Sequence, residues 1–476
     1  MAVELRSPFS WQTVGGDTAA MLAELQPNIL KGHVRDYLTL LFLRFDQAAA
    51  ARAFVRGLAV STTGRPLMKS ARTHLEEIAA FKLNGTPGTP YVGLGLTAAA
   101  YAALGIPVGK RPSDRSFQRG MQHAPLGDPP ASTWEPHLGA EVHAVVLVGD
   151  ATGASRDRAL ERVRALVRLS RHVAILGEES GQGMRNANGQ CIEHFGFVDG
   201  RSQPLFLKED LANETGRTDG ATVWNPALGA GRAIVPDRAA PLPRLQFGSY
   251  LVFRKLEQNV QLFMREKAVL AERLKLTASD TARAGAMIIG RFEDGTPLVL
   301  QGAAGMHSPV PNDFTYDSDP EGTKCPLFAH IRKVNPRGGS IAPGARERRH
   351  LMVRRAQTYG VRTDGVHDGQ LSTKPTGGVG LLFMAFNASI AEQFEFVQQA
   401  WLNNPWFPVV GPEDDSPGLD LLAGQGARPR IKCPLTWGTS QDNPTATKAV
   451  RATAPVVAMK GGAYFFMPSL AFLRSV

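Results

Sequence analysis

The sequence predicts an α+β protein made of two similar halves. Three observations carry that expectation. Four segments each read as a buried strand running into an amphipathic helix. They fall into two pairs whose members are separated by similar stretches of chain, and a Gly-, Ala- and Pro-rich stretch, residues 218–244, lies between the pairs. A ferredoxin-like β-α-β-β-α-β half, repeated twice, satisfies all three. An open α/β sheet of unrelated units is the other arrangement the pattern allows.

The first unit is "YLTLLFLRF" (37–45) followed by "DQAAAARAFVRGLA". The second is "VHAVVLVGD" (142–150) followed by "ASRDRALERVRALVRLS", and the third is "GSYLVFRKL" (248–256) followed by "EQNVQLFMREKAVLAERL". The fourth is "GLLFMAFNA" (380–388) followed by "SIAEQFEFVQQAWL". Each opens on a β-branched or aromatic run suited to a buried strand. Each continues with apolar residues at i, i+3, i+4 spacing, as in Leu160, Val163, Leu166 and Val167, or Phe394, Val397 and Trp401. Asp150, and Asn387 or Ser389, are the expected helix N-caps. The resulting division is an N-terminal half, 1–215, a linker, 216–246, and a C-terminal half, 247–476.

Hydrophobic residues make up 43% of the 476 and charged residues 20%, enough apolar material to bury a core. The formal charge of +10 attracts anions. The cations are scattered in pairs such as Arg348-Arg349 and Arg354-Arg355, with no run of five or six, so a nucleic-acid partner is not indicated. Cys191, Cys325 and Cys433 are far apart and form no CxxC pair, which argues against a zinc site or a disulfide framework. No apolar run approaches the roughly 18 residues of a membrane helix. The first residues lack a basic segment followed by an apolar one. The expectation is a soluble cytoplasmic protein with no membrane partner.

Chemistry is suggested at three places. In "FGFVDGRSQP" (195–204) a carboxylate, Asp199, directly follows an apolar run. An Asp-Gly pair is ordinarily a turn; the other reading puts Asp199 at the rim of an apolar cavity, where it can move protons. In the long irregular region 301–345, His330 closes the apolar run "CPLFAHI". Loops of that length in compact chains are functional or disordered, and the aromatic content argues against disorder. In "RERRHLMVRRAQTYG" (346–360), Arg354 leaves an apolar run, where a guanidinium can stabilise a developing anion; the plain alternative is a solvated basic edge strand. No Walker loop, HExxH or GxSxG is present. One carboxylate, one imidazole and one guanidinium bordered by aromatic residues suit a large, flat, apolar cofactor better than a hydrolytic cleft.

These segments resemble the dye-decolorising peroxidases, haem enzymes with a duplicated ferredoxin-like α+β barrel. The resemblance rests on "GFVDGRSQP", on "NDFTY" with "CPLFAHIRKVNPR", on "VRRAQTYG", "GLLFMAFNASIAEQFEFVQ", "KGGAYFFMPSLAFL" and "LQPNILKGH", in order over nearly the whole chain. It implies haem b in the C-terminal half with His330 as the axial ligand, Asp199 as the distal acid–base residue and Arg354 as the distal arginine. It implies that Arg332 turns a cation toward a haem propionate. It also implies an acid behind the axial histidine, for which Glu392 is the choice and Glu395 the reserve. The implied activity reduces hydrogen peroxide and oxidises bulky aromatic substrates, including anionic anthraquinone dyes and phenolics, by one-electron steps. A non-catalytic haem carrier or an iron-releasing protein is the rival, and a monomer and a homodimer both remain open.

Overall fold

The structure, a computed structural model, describes every residue except 1, 61–63, 65, 218–220, 341–343, 409–415, 429 and 439–446. Part of the expected linker, 218–220, and part of the irregular region, 341–343, therefore lie outside the described residues.

Eight strands carry the architecture: β1 (Tyr37–Phe45), β2 (Tyr91–Leu96), β3 (Ala144–Asp150), β4 (Val173–Gln182), β5 (Phe247–Gln258), β6 (Gln357–Tyr359), β7 (Gly380–Asn387) and β8 (Val457–Met467). In the first half the spatial order is β2-β3-β1-β4; in the second it is β8-β5-β7-β6. Both are the 4-1-3-2 order of a ferredoxin-like unit, and all these neighbours run antiparallel. The halves join through one residue pair at each seam, Tyr359 with Gly181 and Phe466 with Leu96, which closes the sheet into a barrel. The duplicated α+β expectation holds, and the open sheet does not.

The period-2 alternation of a strand explains the two cores. On β1, Leu41, Leu43 and Phe45 pack outward with helix Ala48–Ala59 (Phe54, Val55, Leu58) and helix Gly153–Leu169 (Leu160, Val163). Leu38, Leu40 and Phe42 face the other way, against Phe253, Leu382, Met384 and Phe465 of the second half. A continuous apolar run is what a strand buried on both faces requires.

Two local expectations change. Asp150 is the last residue of β3, and the helix after it is capped by Thr152, whose hydroxyl accepts from Ser155 N at 3.3 Å. After β7, Ser389 Oγ does accept from Glu392 N (3.3 Å), but Ala391–Glu395 and Val397–Leu402 are π-helical rather than α-helical. Bonds from Glu395 N to Ile390 O and from Asn403 N to Gln398 O, both 2.9 Å, mark the wider turns. Within 216–246, Leu228, Ala230, Ala233 and Ile234 are buried, and Val235–Pro236 pairs with the start of β5. No described helix is long and apolar enough to cross a membrane.

Candidate active site

A third apolar cluster, separate from the barrel's two cores, gathers the segments singled out above. It joins Phe195 and Phe197 of "FGFVDG", Phe263 of helix Val260–Arg273, Phe314 and Phe328 of the irregular region, and Leu421. Phe195 stacks on Phe263 with ring centroids 4.1 Å apart, and Phe197 meets the same ring edge-on at 5.9 Å. Offset and edge-to-face pairs of this kind add directionality to simple burial.

From this cluster the short helix His330–Val334 presents its first residue. His330 Nδ1 lies 2.8 Å from Oδ2 of Asp420, a fully buried carboxylate on the Gly418–Gly424 turn. Asp420 Oδ1 accepts from the backbone N–H groups of Leu422 (3.0 Å) and Ala423 (2.5 Å), so the acid is itself held in place. Burial disfavours the His330 cation, but the Asp420 charge and hydrogen bond outweigh it and raise the imidazole above its ordinary value. Burial likewise pushes Asp420 up, and His330 more than reverses that push. With Nδ1 bound, Nε2 is the nitrogen left to bind a ligand, and the His330 side chain keeps 27% of its surface.

Asp420 replaces the expected acid. Glu392 is exposed, and its backbone carbonyl, not its carboxylate, is the group that meets His350. Glu395 is buried elsewhere, bound to Arg119 (2.6 Å), Ser116 (2.7 Å) and Tyr464 (2.9 Å). Asp420→Asn is expected to leave the fold intact while lowering ligand affinity or turnover about 10–100-fold, the usual effect of removing a histidine's outer partner. Titration of the cofactor into the variant measures it.

Arg332 is also a correction. Its guanidinium is enclosed, with Nη1 on Asp319 Oδ2 (2.9 Å) and Cys325 O (2.6 Å), Nη2 on Asp319 O (2.5 Å), and its plane over Tyr316. Its two terminal nitrogens are thus committed to the Asp319–Cys325 loop rather than to a propionate. Arg332→Leu strands the fully buried Asp319 carboxylate and is expected to cost about 3–5 kcal/mol of stability, read from a denaturant midpoint.

Arg354 disfavours the charged form of His330 and Asp199 favours it, so both act on the imidazole through space. Arg354 sits on the short strand Val353–Arg354 paired with β7. Its Nη2 donates to Ser202 O (2.5 Å), and its backbone N donates to Gln203 Oε1 (3.1 Å). The "RSQ" that follows Asp199-Gly200 therefore anchors the arginine, and Gly200, at φ +74°, supplies the turn between them. Asp199 is exposed, and its backbone N donates to Cys191 O (3.0 Å).

Sequence reasoning missed Asp420, Ser202 and Gln203. Asp420 did carry a signal, an acid flanked by leucines in "GLDLLAG". Another group of ionisable side chains, Glu135, His137 and Glu179, is close enough to hold a cation. The Lys255 ammonium already bonds both carboxylates there at 2.8 Å.

No family model matches the chain. It is 53% identical to the multifunctional dye peroxidase DyP2 of an Amycolatopsis species over the full length of both chains. The solved DyP2 structure superposes with a TM-score of 0.94 over 100% of each chain. The DyP-type peroxidase of an Anabaena species is 34% identical, with a TM-score of 0.88 over 98% of this chain and 97% of that one. A deferrochelatase of Yersinia pestis is 29% identical over 44% of this chain and 36% of its own.

A closed, duplicated ferredoxin-like barrel carrying a histidine held by a buried carboxylate is the architecture of a haem peroxidase class. The chain belongs to the dye-decolorizing peroxidase family, and it is a peroxidase. The family implies haem, hydrogen peroxide and a reducing substrate. The donor set fits that cofactor: one imidazole nitrogen is fixed by a buried acid while the other is left for iron, beside an aromatic wall.

Proposed function

We propose that this peroxidase uses haem b, reduces hydrogen peroxide and oxidises bulky aromatic substrates, including anionic dyes and phenolics, one electron at a time. The observation that carries the reading is the His330–Asp420 bond with Asp199 and Arg354 within electrostatic reach. His330 Nε2 would hold the iron, and Asp420 would make the imidazole a stronger donor. When bound, haem supplies the centre at which the O–O bond breaks and from which oxidising equivalents leave. Asp199 would take a proton from one oxygen of the peroxide and deliver it to the other, which departs as water. Arg354 offsets the negative charge on the peroxide anion and on the departing oxygen. The formal charge of +10 favours encounter with anionic substrates, an attraction that salt weakens.

The division into halves, 1–215 and 247–476 with 216–246 between, and cytoplasmic residence belong to the same proposal. Cell fractionation tests the latter. The activity is tested by recording the absorption spectrum of the purified protein before and after one equivalent of peroxide, then adding an anthraquinone dye. A haem band that shifts with peroxide and returns as the dye bleaches is the expected result. A band indifferent to peroxide would return the chain to the haem-carrier reading.

A further inference from the structure

Glu193 lies six residues before Asp199 and is buried. Its carboxylate gathers three donors: Phe197 N on Oε1 (3.1 Å), and Phe195 N (2.8 Å) and Gln258 Nε2 (2.5 Å) on Oε2. Its backbone closes the same loop, with N donating to Phe197 O (3.2 Å) and O accepting from Gly196 N (2.9 Å). Gln258 is the last residue of β5, so the loop is tied to the barrel wall. The aromatic side chains at 195 and 197 clasp Phe263 on the helix that follows β5. Gly196 adopts φ +96°, a conformation that side-chain-bearing residues rarely adopt, and a Cβ there would come within 2.7 Å of His367. Val198 N then donates to Glu293 O (3.1 Å) and Asp199 N to Cys191 O (3.0 Å), which sets where the Asp199 side chain leaves the backbone.

The choice of an acid here has a physical reason. A buried carboxylate is costly, and an amide of the same shape has one acceptor oxygen where two backbone N–H groups and a side-chain amide need acceptors. An ionised carboxylate accepts all three. Burial pushes Glu193 up to about 7, against the pull of Phe195 N, Gln258 and Phe197 N, with the Asp199 charge adding to the push. The other charged groups around the loop are the Lys267–Glu293 pair (3.0 Å), His367 against Glu293 (3.2 Å), and Arg362, whose Nη1 bonds His194 O (2.6 Å).

We propose that Glu193 is a positioning residue that fixes the Phe195–Phe197 loop and thereby aims Asp199 at the peroxide. The role rests on the reading of Asp199 as the proton-transfer residue. Misplacement of such a group by about 1 Å costs on the order of 100-fold. In the purified holoprotein, Glu193→Ala is therefore expected to slow the reaction with peroxide about 10–100-fold. Its resting spectrum should be unchanged, because His330 and Asp420 are untouched. Glu193→Gln, which keeps one acceptor oxygen, should fall between Glu193→Ala and wild type. Hydrogen exchange of the Phe195–Phe197 amides should quicken in the same order. The wild-type rate should carry an inflection near pH 7 that Glu193→Gln removes.

Wild-type rates in Glu193→Ala beside a slowed Asp199→Asn would sink the positioning role alone. A wild-type rate in Asp199→Asn would sink the base assignment and, with it, the purpose given to Glu193. Unchanged amide exchange in a slowed Glu193→Ala would also overturn the proposal, because the loop would not have been released. If Glu193→Ala does not fold, Gln258→Ala removes the outer tie alone. It must then show a smaller loss of the same kind, and wild-type rate and exchange in it would refute the idea.

Discussion

Replacing His330 with alanine is expected to abolish stoichiometric haem retention, or to leave the iron in a different ligation state. The Nδ1 of this imidazole is bound to a fully buried acid, which leaves Nε2 available to a ligand. Deleting it removes the proposed donor to iron and also leaves Asp420 buried beside Lys333, whose own ammonium burial pushes down to about 7. The loss should therefore exceed the roughly 10–100-fold expected when only the outer partner of a ligating histidine is changed. The haem-to-protein ratio and the ligation bands of the purified variant decide it. An unchanged ligation spectrum would move the ligand elsewhere. His307, the next candidate on sequence grounds, is half exposed and 3.9 Å from Asp294, with no buried acid to fix its ring.

The part of this site legible in the sequence is the part that short motifs encode. Asp199 and Arg354 end or leave apolar runs, and His330 follows one, so local composition marks all three. What sequence could not give was the pairing made by tertiary packing. Asp420 is ninety residues beyond His330, while the family resemblance pointed to the strand–helix segment that carries Glu392 and Glu395. Arg332 failed for a simpler reason. It lies two positions after His330 on one helix, and residues so spaced point to nearly opposite faces. Assigning "HIRKV" to a helix would have excluded a shared site.

The barrel shows the same contrast. β1, β3, β5 and β7 are long apolar runs and were legible individually. β4, "VAILGEESGQ", mixes buried and exposed positions, and β6 has three residues, so neither stands out without its partners. The duplication supplied them by implication, since each half needs four strands.

Arg354→Leu is expected to slow the reaction with peroxide at least as much as Asp199→Asn, by about 100–1000-fold. That is the range for removing a preorganised charge-stabilising donor, and the contribution of a positioned proton-transfer group begins at the same order, about 100-fold. A guanidinium as a class keeps its charge at any working pH, whereas a carboxylate serves as a base only when ionised. Its anchor on Ser202 O and Gln203 ties it to the segment that carries Asp199, and in the proposed reaction the two groups serve one small molecule. Arg355 cannot substitute. Its guanidinium is bound to the carbonyls of Asn28, Ile29 and Arg354, and burial lowers it to about 9. Stopped-flow rates of both variants settle the comparison; a wild-type rate in Arg354→Leu would end its electrostatic role.

The pH profile then separates the bases. An aspartate carboxylate ordinarily stays ionised far below the pH at which an imidazole of about 6.5 takes up its proton. Peroxide reactivity should thus persist into mildly acidic solution, with only the partial step near pH 7 that burial of Glu193 produces. The two are told apart by Glu193→Gln, which should erase that step and leave the acidic activity standing. Collapse of the wild-type rate below about pH 6, persisting in Glu193→Gln, would mean that a histidine is the base. Asp199 would then be no more than the turn its Asp-Gly sequence first suggests.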